Sequence, residues 1–318
     1  MLQYFIPAKV AASAIITCAN CYFIGYLTLR SVRHLISWSE LAVLGFLTGS
    51  AWLSTLILFL GIAGLINTAT YLVLSAVLCA CFLFVRRIDR TRCLQGNLQA
   101  GLTFSWKALI TLAGLSFGAV YLTNALAPEV SSDGAAYHLG LVAEYARQQR
   151  IMPVPTNFYA ALSQGLEMLF LFAYVLGGHS AAALVHLAFL LAMAALILCF
   201  GIRNGVRVPS AVAAIIVFTT PVVGMDATVA YVDVAAACAA FAFCYVLWLW
   251  TDVRSNALAF HVGILAGLCF AIKYSIGIAI LFGLVVIAAK WQKKGGGLRS
   301  HKESGTLCSA PVSSRGRG

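Results

Sequence analysis

The chain has 318 residues, 62% hydrophobic and 10% charged, with a formal net charge of +11 and a mean hydropathy of +0.93. A soluble domain carries about 25% charged residues, so the composition excludes a soluble globular fold and points to an all-α, polytopic integral membrane protein. The positive charge does not indicate nucleic acid, because Lys and Arg sit in short clusters between apolar runs, and the alternating pattern of an outer-membrane barrel is absent.

Nine apolar runs are predicted spans: Ala8–Leu29, Leu41–Leu60, Thr68–Val85, Ala108–Ala127, Ala181–Phe200, Ser210–Val223, Val234–Trp250, Leu258–Ile272 and Ser275–Ala289. The first is long, with Lys9 its only early charge, which reads as a span and not as a cleaved signal peptide. Basic clusters separate the runs at Arg30/Arg33, at Arg86/Arg87/Arg90/Arg92/Lys107, at Arg203/Arg207, at Arg254 and at Lys290/Lys293/Lys294. One orientation places all five in the cytoplasm: the N-terminus outside and a crossing at every run. The expected organisation is a set of N-terminal transmembrane helices with a basic cytoplasmic loop over 1–107, a second transmembrane module over 108–290, and a disordered polar tail over 291–318. The tail from Gly295 on is rich in Gly, Ser and Arg and has no periodicity. Most of the ten cysteines lie in apolar runs and none sits in a metal-ligand spacing, so neither a disulfide nor a zinc site is expected.

Leu162–Leu176 is apolar enough to count as a tenth crossing. Counting it would place Arg203, Arg207 and the Lys290 cluster outside, so the charge bias predicts a helix lying against the outer surface of the membrane or of the protein. The stretch 128–180 then forms one long external loop. It holds four of the chain's ten acidic residues, Glu129, Asp133, Glu144 and Glu167, and three of its seven prolines. Polar groups are costly in lipid, so such an insert belongs in water, at the bilayer surface or in a cavity. Two further external segments are Val222–Asp233 and the joint at Lys273–Tyr274.

Within the loop, Gly134–Arg150 has a helical pattern with Ala136, Leu139, Ala143 and Ala146 on one face, and Glu144 and Arg147 spaced to pair. Asp133 reads either as the cap of that helix or as a carboxylate placed to take a proton, and the two roles are compatible. Tyr137 and His138 lie one turn on. His138, His179 and His186 read first as hydrogen-bonded structural residues. Glu167 on its apolar helix needs a partner. Asp226 and Asp233 read as caps and loop acceptors, or as oxygen ligands for a divalent cation. Lys273 by itself reads as a snorkelling lysine at a helix end. Tyr231 is either part of an interfacial aromatic belt or a platform for a ring.

The sequence SSDGAAYHL, a proline-containing turn, and NFYAALSQGLEMLFLFAYVLGG together resemble the first external loop of GT-C superfamily glycosyltransferases, most closely family 39 and the aminoarabinose-transferase-like branch. TTPVVGMDATVAYVDVAA is similar to their second external loop, and GILAGLCFAIKYS to their G-x-x-x-G-L-x-x-x-x-K segment. The resemblance covers roughly 109–289. It departs from the family at Gly134, where many relatives carry a second acid. Relatives are also longer, with further spans or an external domain that helps bind the donor.

The resemblance implies a GT-C-like helical bundle in the cell (inner) membrane, with surface helices on its long loop and an active site on the outer face. Such an enzyme moves a sugar from a polyprenyl-phosphate-linked donor to a glycan, lipid or protein acceptor. Asp133 matches the family's general base. Tyr137, His138, Glu167, Tyr231 and Lys273 fall where substrate is bound, with Lys273 facing the leaving phosphate. Asp226 and Asp233 are the candidates for a divalent cation. The alternatives are a multi-pass transporter or flippase, disfavoured by the scarcity of charge inside the spans, and a non-catalytic membrane assembly subunit.

Overall fold

The computed structural model describes residues 2–89, 93–94 and 102–303, and all regular structure among them is helical. α1 (Leu2–Thr28) and α2 (Trp38–Ile62) are joined through a 3-10 turn, Leu29–Leu35, and α3 (Thr68–Ile88) and α4 (Phe104–Leu126) follow. The next segment carries a π-helical turn, Gly134–His138, then α5 (Leu139–Gln148) and a 3-10 turn, Phe158–Ala161. α6 (Gly165–Gly177) and α7 (His179–Arg203) come next, then α8 (Arg207–Thr219) and the short α9 (Pro221–Ala227). The rest is α10 (Asp233–Val253), α11 (Asn256–Ile272) and α12 (Ile278–Glu303).

Among the described residues, six helices are long and apolar enough to cross a membrane: α1 with its 3-10 extension, α2, α3, α4, α7 and α10. The run Ser210–Val223, expected as one span, is broken into α8 and α9 with a bend of 64°. Pro221 has no N–H for an α-helical bond and disfavours helical geometry at Thr220, whose ψ is 117°. α11 has 17 residues, about 26 Å at 1.5 Å per residue, less than the roughly 30 Å of a hydrocarbon core. The apolar part of the last segment, Tyr274–Lys290, is equally short. By length and composition alone six helices, or seven with the bent pair, qualify as crossings where nine were expected, yet α11, though short, still runs from one end of the bundle, where His261 Nε2 lies 3.2 Å from the Thr28 carbonyl oxygen, to the other end at Lys273. The tail also departs from expectation as far as it is described. α12 runs on to Glu303, into the stretch expected to be disordered. Residues 304–318 and the basic residues Arg90 and Arg92 lie outside the described residues.

α1 and α2 pack backbone to backbone. A Cβ on Gly49 would lie 1.6 Å from the Cys21 carbonyl oxygen, and one on Gly25 would lie 1.8 Å from that of Gly45. Gly45 and Gly49 are one turn apart, the small-x-x-x-small spacing that lets apolar helices approach closely.

Side-chain contacts divide the bundle into two ends. At one end Arg33 bonds the Tyr26 hydroxyl and carbonyl at 3.1 and 2.9 Å, lies 3.9 Å over the Tyr26 ring and pairs with Asp89. Arg203 of α7 reaches the same end, bonding Glu40 at 2.5 and 2.6 Å and the Leu35 carbonyl at 2.9 Å. At the other end the Ser180 hydroxyl donates to the Leu126 carbonyl at 3.2 Å. The stretch 128–179 thus starts and finishes at one end, the loop end, and Arg203 shares the opposite end with Arg30 and Arg33. This agrees with the charge bias: α6 adds no crossing.

The position of α6 is nonetheless different from that expected. It does not lie on a surface. Leu166, Leu169, Phe170, Leu171, Phe172 and Ala173 are fully buried, with α1, α2, α5 and α7 packed around the helix. A helix apolar on all sides is stable only when surrounded. Gly165 permits the closest approach: a Cβ there would lie 2.6 Å from the Ala271 backbone, and its carbonyl accepts from the Ser54 hydroxyl at 2.5 Å.

Candidate functional site

The loop end gathers three segments that are far apart in sequence. Glu129 Oε2 accepts the Ala230 N–H at 2.8 Å. The Ser163 hydroxyl accepts the Tyr274 N–H at 3.2 Å and donates to the Ile272 carbonyl at 3.4 Å. Lys273 pairs with Asp233. The long loop, the α9–α10 connection and the α11–α12 joint therefore form one surface, and every candidate residue lies on or just beneath it.

Asp133 is exposed, sits within the first helical turn at φ −74° and ψ −40°, and makes no side-chain capping bond. The cap is Ser131, whose hydroxyl accepts the Gly134 N–H at 3.2 Å and is held by Glu129. The capping role expected of Asp133 is therefore corrected, and its carboxylate stands without a hydrogen bond among the described residues. The expected apolar face also shifts. Leu139 is buried as predicted, but Leu141, Val142 and Tyr145 complete the buried face in place of Ala136, Ala143 and Ala146. The π turn adds a residue and rotates the succeeding helix by about 100°, the angle of one helical residue, and the larger side chains take the interior.

His138 closes the π turn and is buried, 5% exposed, against Glu167 of α6, 3% exposed. His138 Nδ1 and Glu167 Oε1 are 2.6 Å apart, while Glu167 Oε2 has no hydrogen-bond partner among the described residues. Glu167 thus has the partner its position demands. Tyr137 stacks on Tyr159 with ring centres 4.1 Å apart and leans on the His138 ring, and Tyr231 lies 6.2 Å from His138. Burial, followed by the negative charge of Asp133 and the neighbourhood of Tyr159, Glu167 and Asp233, pushes the Tyr137 phenol up to about 12.

Of the two acids expected as caps or loop acceptors, Asp226 is the cap. Its Oδ2 accepts the Val234 N–H at 3.1 Å and so caps α10. His186, fully buried, lies 3.8 Å from it. Ala235 N–H donates to His186 Nε2 at 3.3 Å, so this nitrogen is the acceptor and Nδ1 carries the proton to the Val229 carbonyl at 2.9 Å. The ring is saturated and structural. Asp233 and Lys273 are 59% and 43% exposed and hold each other. Among the described residues, no group of three His, Cys, Asp or Glu side chains is placed to hold a metal ion.

Beside this surface runs a mostly apolar groove of about 550 Å³ between α2, the loop and α11. It is lined by Ser54, Leu58, Met152, Leu162, Phe270 and Ala271 among others. A second hollow of about 240 Å³ shares Ser54, Thr55 and Ala271 with it and reaches Gly263 and Gly267, beyond which space is open. Its lining includes Ala160 and Ser163 of the loop and Ala271, which in the chain lies two residues before Lys273. Sequence reasoning named neither the groove nor the part played by Glu129. The only local sign for Glu129 was its place two residues before Ser131. Compared with known proteins, the chain matches no family model, no curated protein and no solved structure.

Proposed function

We propose that the chain is a multi-pass membrane glycosyltransferase of the GT-C type, moving a sugar from a polyprenyl-phosphate-linked donor to a glycan, lipid or protein acceptor on the outer face of the cell membrane. The observation that carries the reading is the presence at one end of an apolar bundle of a free carboxylate, Asp133, a half-exposed cation, Lys273, and a mostly apolar groove whose lining reaches Ala271, two residues before Lys273 in the chain. An amphipathic donor suits that arrangement: an isoprenoid chain in the groove and an anionic head at its upper end.

The acceptor oxygen or nitrogen attacks the anomeric carbon and its proton passes to Asp133, which is accessible and unbonded. The bond from the anomeric carbon to the phosphate oxygen breaks, and the electron pair stays on the phosphate. Lys273, released from Asp233, offsets that charge. The stacked Tyr137 and Tyr159 rings flank the sugar. The donor set does not suit a divalent cation: Asp226 is engaged as a cap, and among the described residues no third His, Cys, Asp or Glu joins Asp226 and Asp233 as a ligand. No step is therefore assigned to a metal.

The test is transfer from radiolabelled polyprenyl-phosphate sugars in membranes containing the protein. Asp133→Asn should express normally and lose at least about a hundredfold in rate, the lower range for a general base. Lys273→Gln should lose donor affinity and rate together, while Lys273→Arg keeps part of both. Wild-type turnover in Asp133→Asn would remove the base, and no transfer by the wild type across the panel of donors would remove the enzyme reading.

A further inference from the structure

Asp133 lies between two fixed points. Upstream, Glu129 Oε1 accepts the Ser131 N–H at 2.9 Å while Oε2 accepts the Ala230 N–H at 2.8 Å, which ties the start of the turn to the segment before α10. Downstream, His138 is paired at 2.6 Å with Glu167 of α6, and both are more than nine-tenths buried. Between these points the backbone makes the π turn, closed by the Leu139 N–H on the Gly134 carbonyl. The turn is packed onto the upstream point: a Cβ on Gly134 would lie 2.4 Å from Ser131 Oγ and 2.8 Å from Glu129 Cδ. Neither point touches the Asp133 carboxylate.

A buried carboxylate–histidine pair is a poor choice if stability is all that is needed. Well-packed apolar residues of similar volume are often as stable or more so. Glu167 also keeps one oxygen buried without a donor, a cost an apolar residue in this apolar helix would not carry. What the pair provides is direction, because a hydrogen bond fixes one register of the turn against α6 where greasy contact allows several. π turns of a single step recur at functional sites for the same reason: the extra residue re-aims its neighbours.

We propose that Glu167 with His138, and Glu129 on the other side, are positioning residues that set the direction of the Asp133 carboxylate. The proposal rests on the reading of Asp133 as the base, and it is tested by two readouts, one of which does not need activity.

In the full chain with its native cysteines replaced, Asp133→Cys reports the geometry through the rate at which its thiol reacts with an impermeant reagent. Glu167→Leu should change that rate by about tenfold, the scale for losing a hydrogen bond to a charged group. His138→Leu should change it more than the double variant His138→Leu/Glu167→Leu does, because the single change leaves Glu167 buried with no partner at all. Glu167→Gln should leave it unchanged, since the amide oxygen still accepts from Nδ1–H. Glu129→Gln, a half-buried change that spares the core, should also alter the rate and covers the case in which the α6 variants do not fold.

In the transfer assay, with Asp133 present, Glu167→Leu and Glu129→Gln should lower kcat by about tenfold with donor KM unchanged, while Glu167→Gln stays near wild type. A thiol rate in Asp133→Cys unmoved by both Glu167→Leu and Glu129→Gln overturns the proposal. So does a Glu167→Gln variant as slow as Glu167→Leu, which would make Glu167 a proton-carrying group. If the thiol rates match the expected pattern and the wild type transfers no sugar, the clamp stands and the glycosyltransferase reading fails.

Discussion

Arg203→Met tests the architecture most directly. Arg203 donates from Nε and Nη2 to the two oxygens of Glu40 at 2.5 and 2.6 Å, and from Nη2 to the Leu35 carbonyl at 2.9 Å. Glu40 is 2% exposed and also accepts from the Ser37 N–H at 2.7 Å and the Tyr245 hydroxyl. Removing one partner of a buried ion pair costs about 3–5 kcal/mol, because the other charge is left in a poor solvent. Here two of four donors to Glu40 survive, so the loss belongs at the low end, about 3 kcal/mol by the same rule. Glu40→Gln/Arg203→Met removes the stranded charge and should recover more than half of it. The measurement is unfolding free energy from titration with SDS in mixed micelles, for wild type, both singles and the double. An Arg203→Met loss within about 0.5 kcal/mol of zero, the range of neutral surface changes, would refute the reasoning. It would also remove the strongest sign that Arg203 shares an end with Arg33.

Three further outcomes are expected. Gly49→Val drives a branched side chain into the Cys21 carbonyl, where the Cβ alone would already lie 1.6 Å from the oxygen, and should lower the thermal midpoint sharply. Gly118→Ala, with nothing within 4 Å, should leave that midpoint unchanged or raise it, and equal effects of the two changes would contradict the close packing of α1 on α2. In intact cells, a cysteine introduced at Ser132 should react with an impermeant reagent and one introduced at Asn204 should not; labelling at 204 would mean that the two lie on the same side of the membrane. The Tyr137 phenol, raised to about 12, favours the neutral folded form, so its contribution to stability is present below about 10, the ordinary tyrosine value, and lost as pH rises through 12. A difference titration of phenolate absorbance between wild type and Tyr137→Phe should show this late ionisation, and a midpoint near 10 would show an unburied ring.

What the sequence made legible was whatever depends on local composition. Six of the apolar runs lie in helices long enough to cross a membrane, because length and hydropathy are summed over neighbours in the chain. The charge bias correctly grouped Arg203 with Arg30 and Arg33, since it uses only the order of spans and clusters. The depth of α6 was not legible: an amphipathic helix declares its face, but one apolar all round says only that something must surround it, not what. The pairs Arg33–Asp89 and Glu40–Arg203 were equally hidden, because 56 and 163 residues separate their members and only the packing brings them together.

The three acids Glu129, Asp133 and Glu167 show where the limit lies. In sequence they are chemically alike, all in one polar insert, and it was the position of Asp133 at the start of a helix, together with the resemblance, that singled it out. The structure separates them by environment. Glu129 spends both oxygens on backbone N–H groups, Glu167 is sealed in α6 with a histidine, and Asp133 alone of the three is exposed without a hydrogen-bond partner among the described residues. A carboxylate whose two oxygens both accept backbone hydrogen bonds is fixed in place and has its near lone pairs occupied. One without access to solvent cannot meet an incoming nucleophile. Asp133 is therefore the acid of the three whose carboxylate is both accessible and uncommitted, which is what the proposed role as base requires.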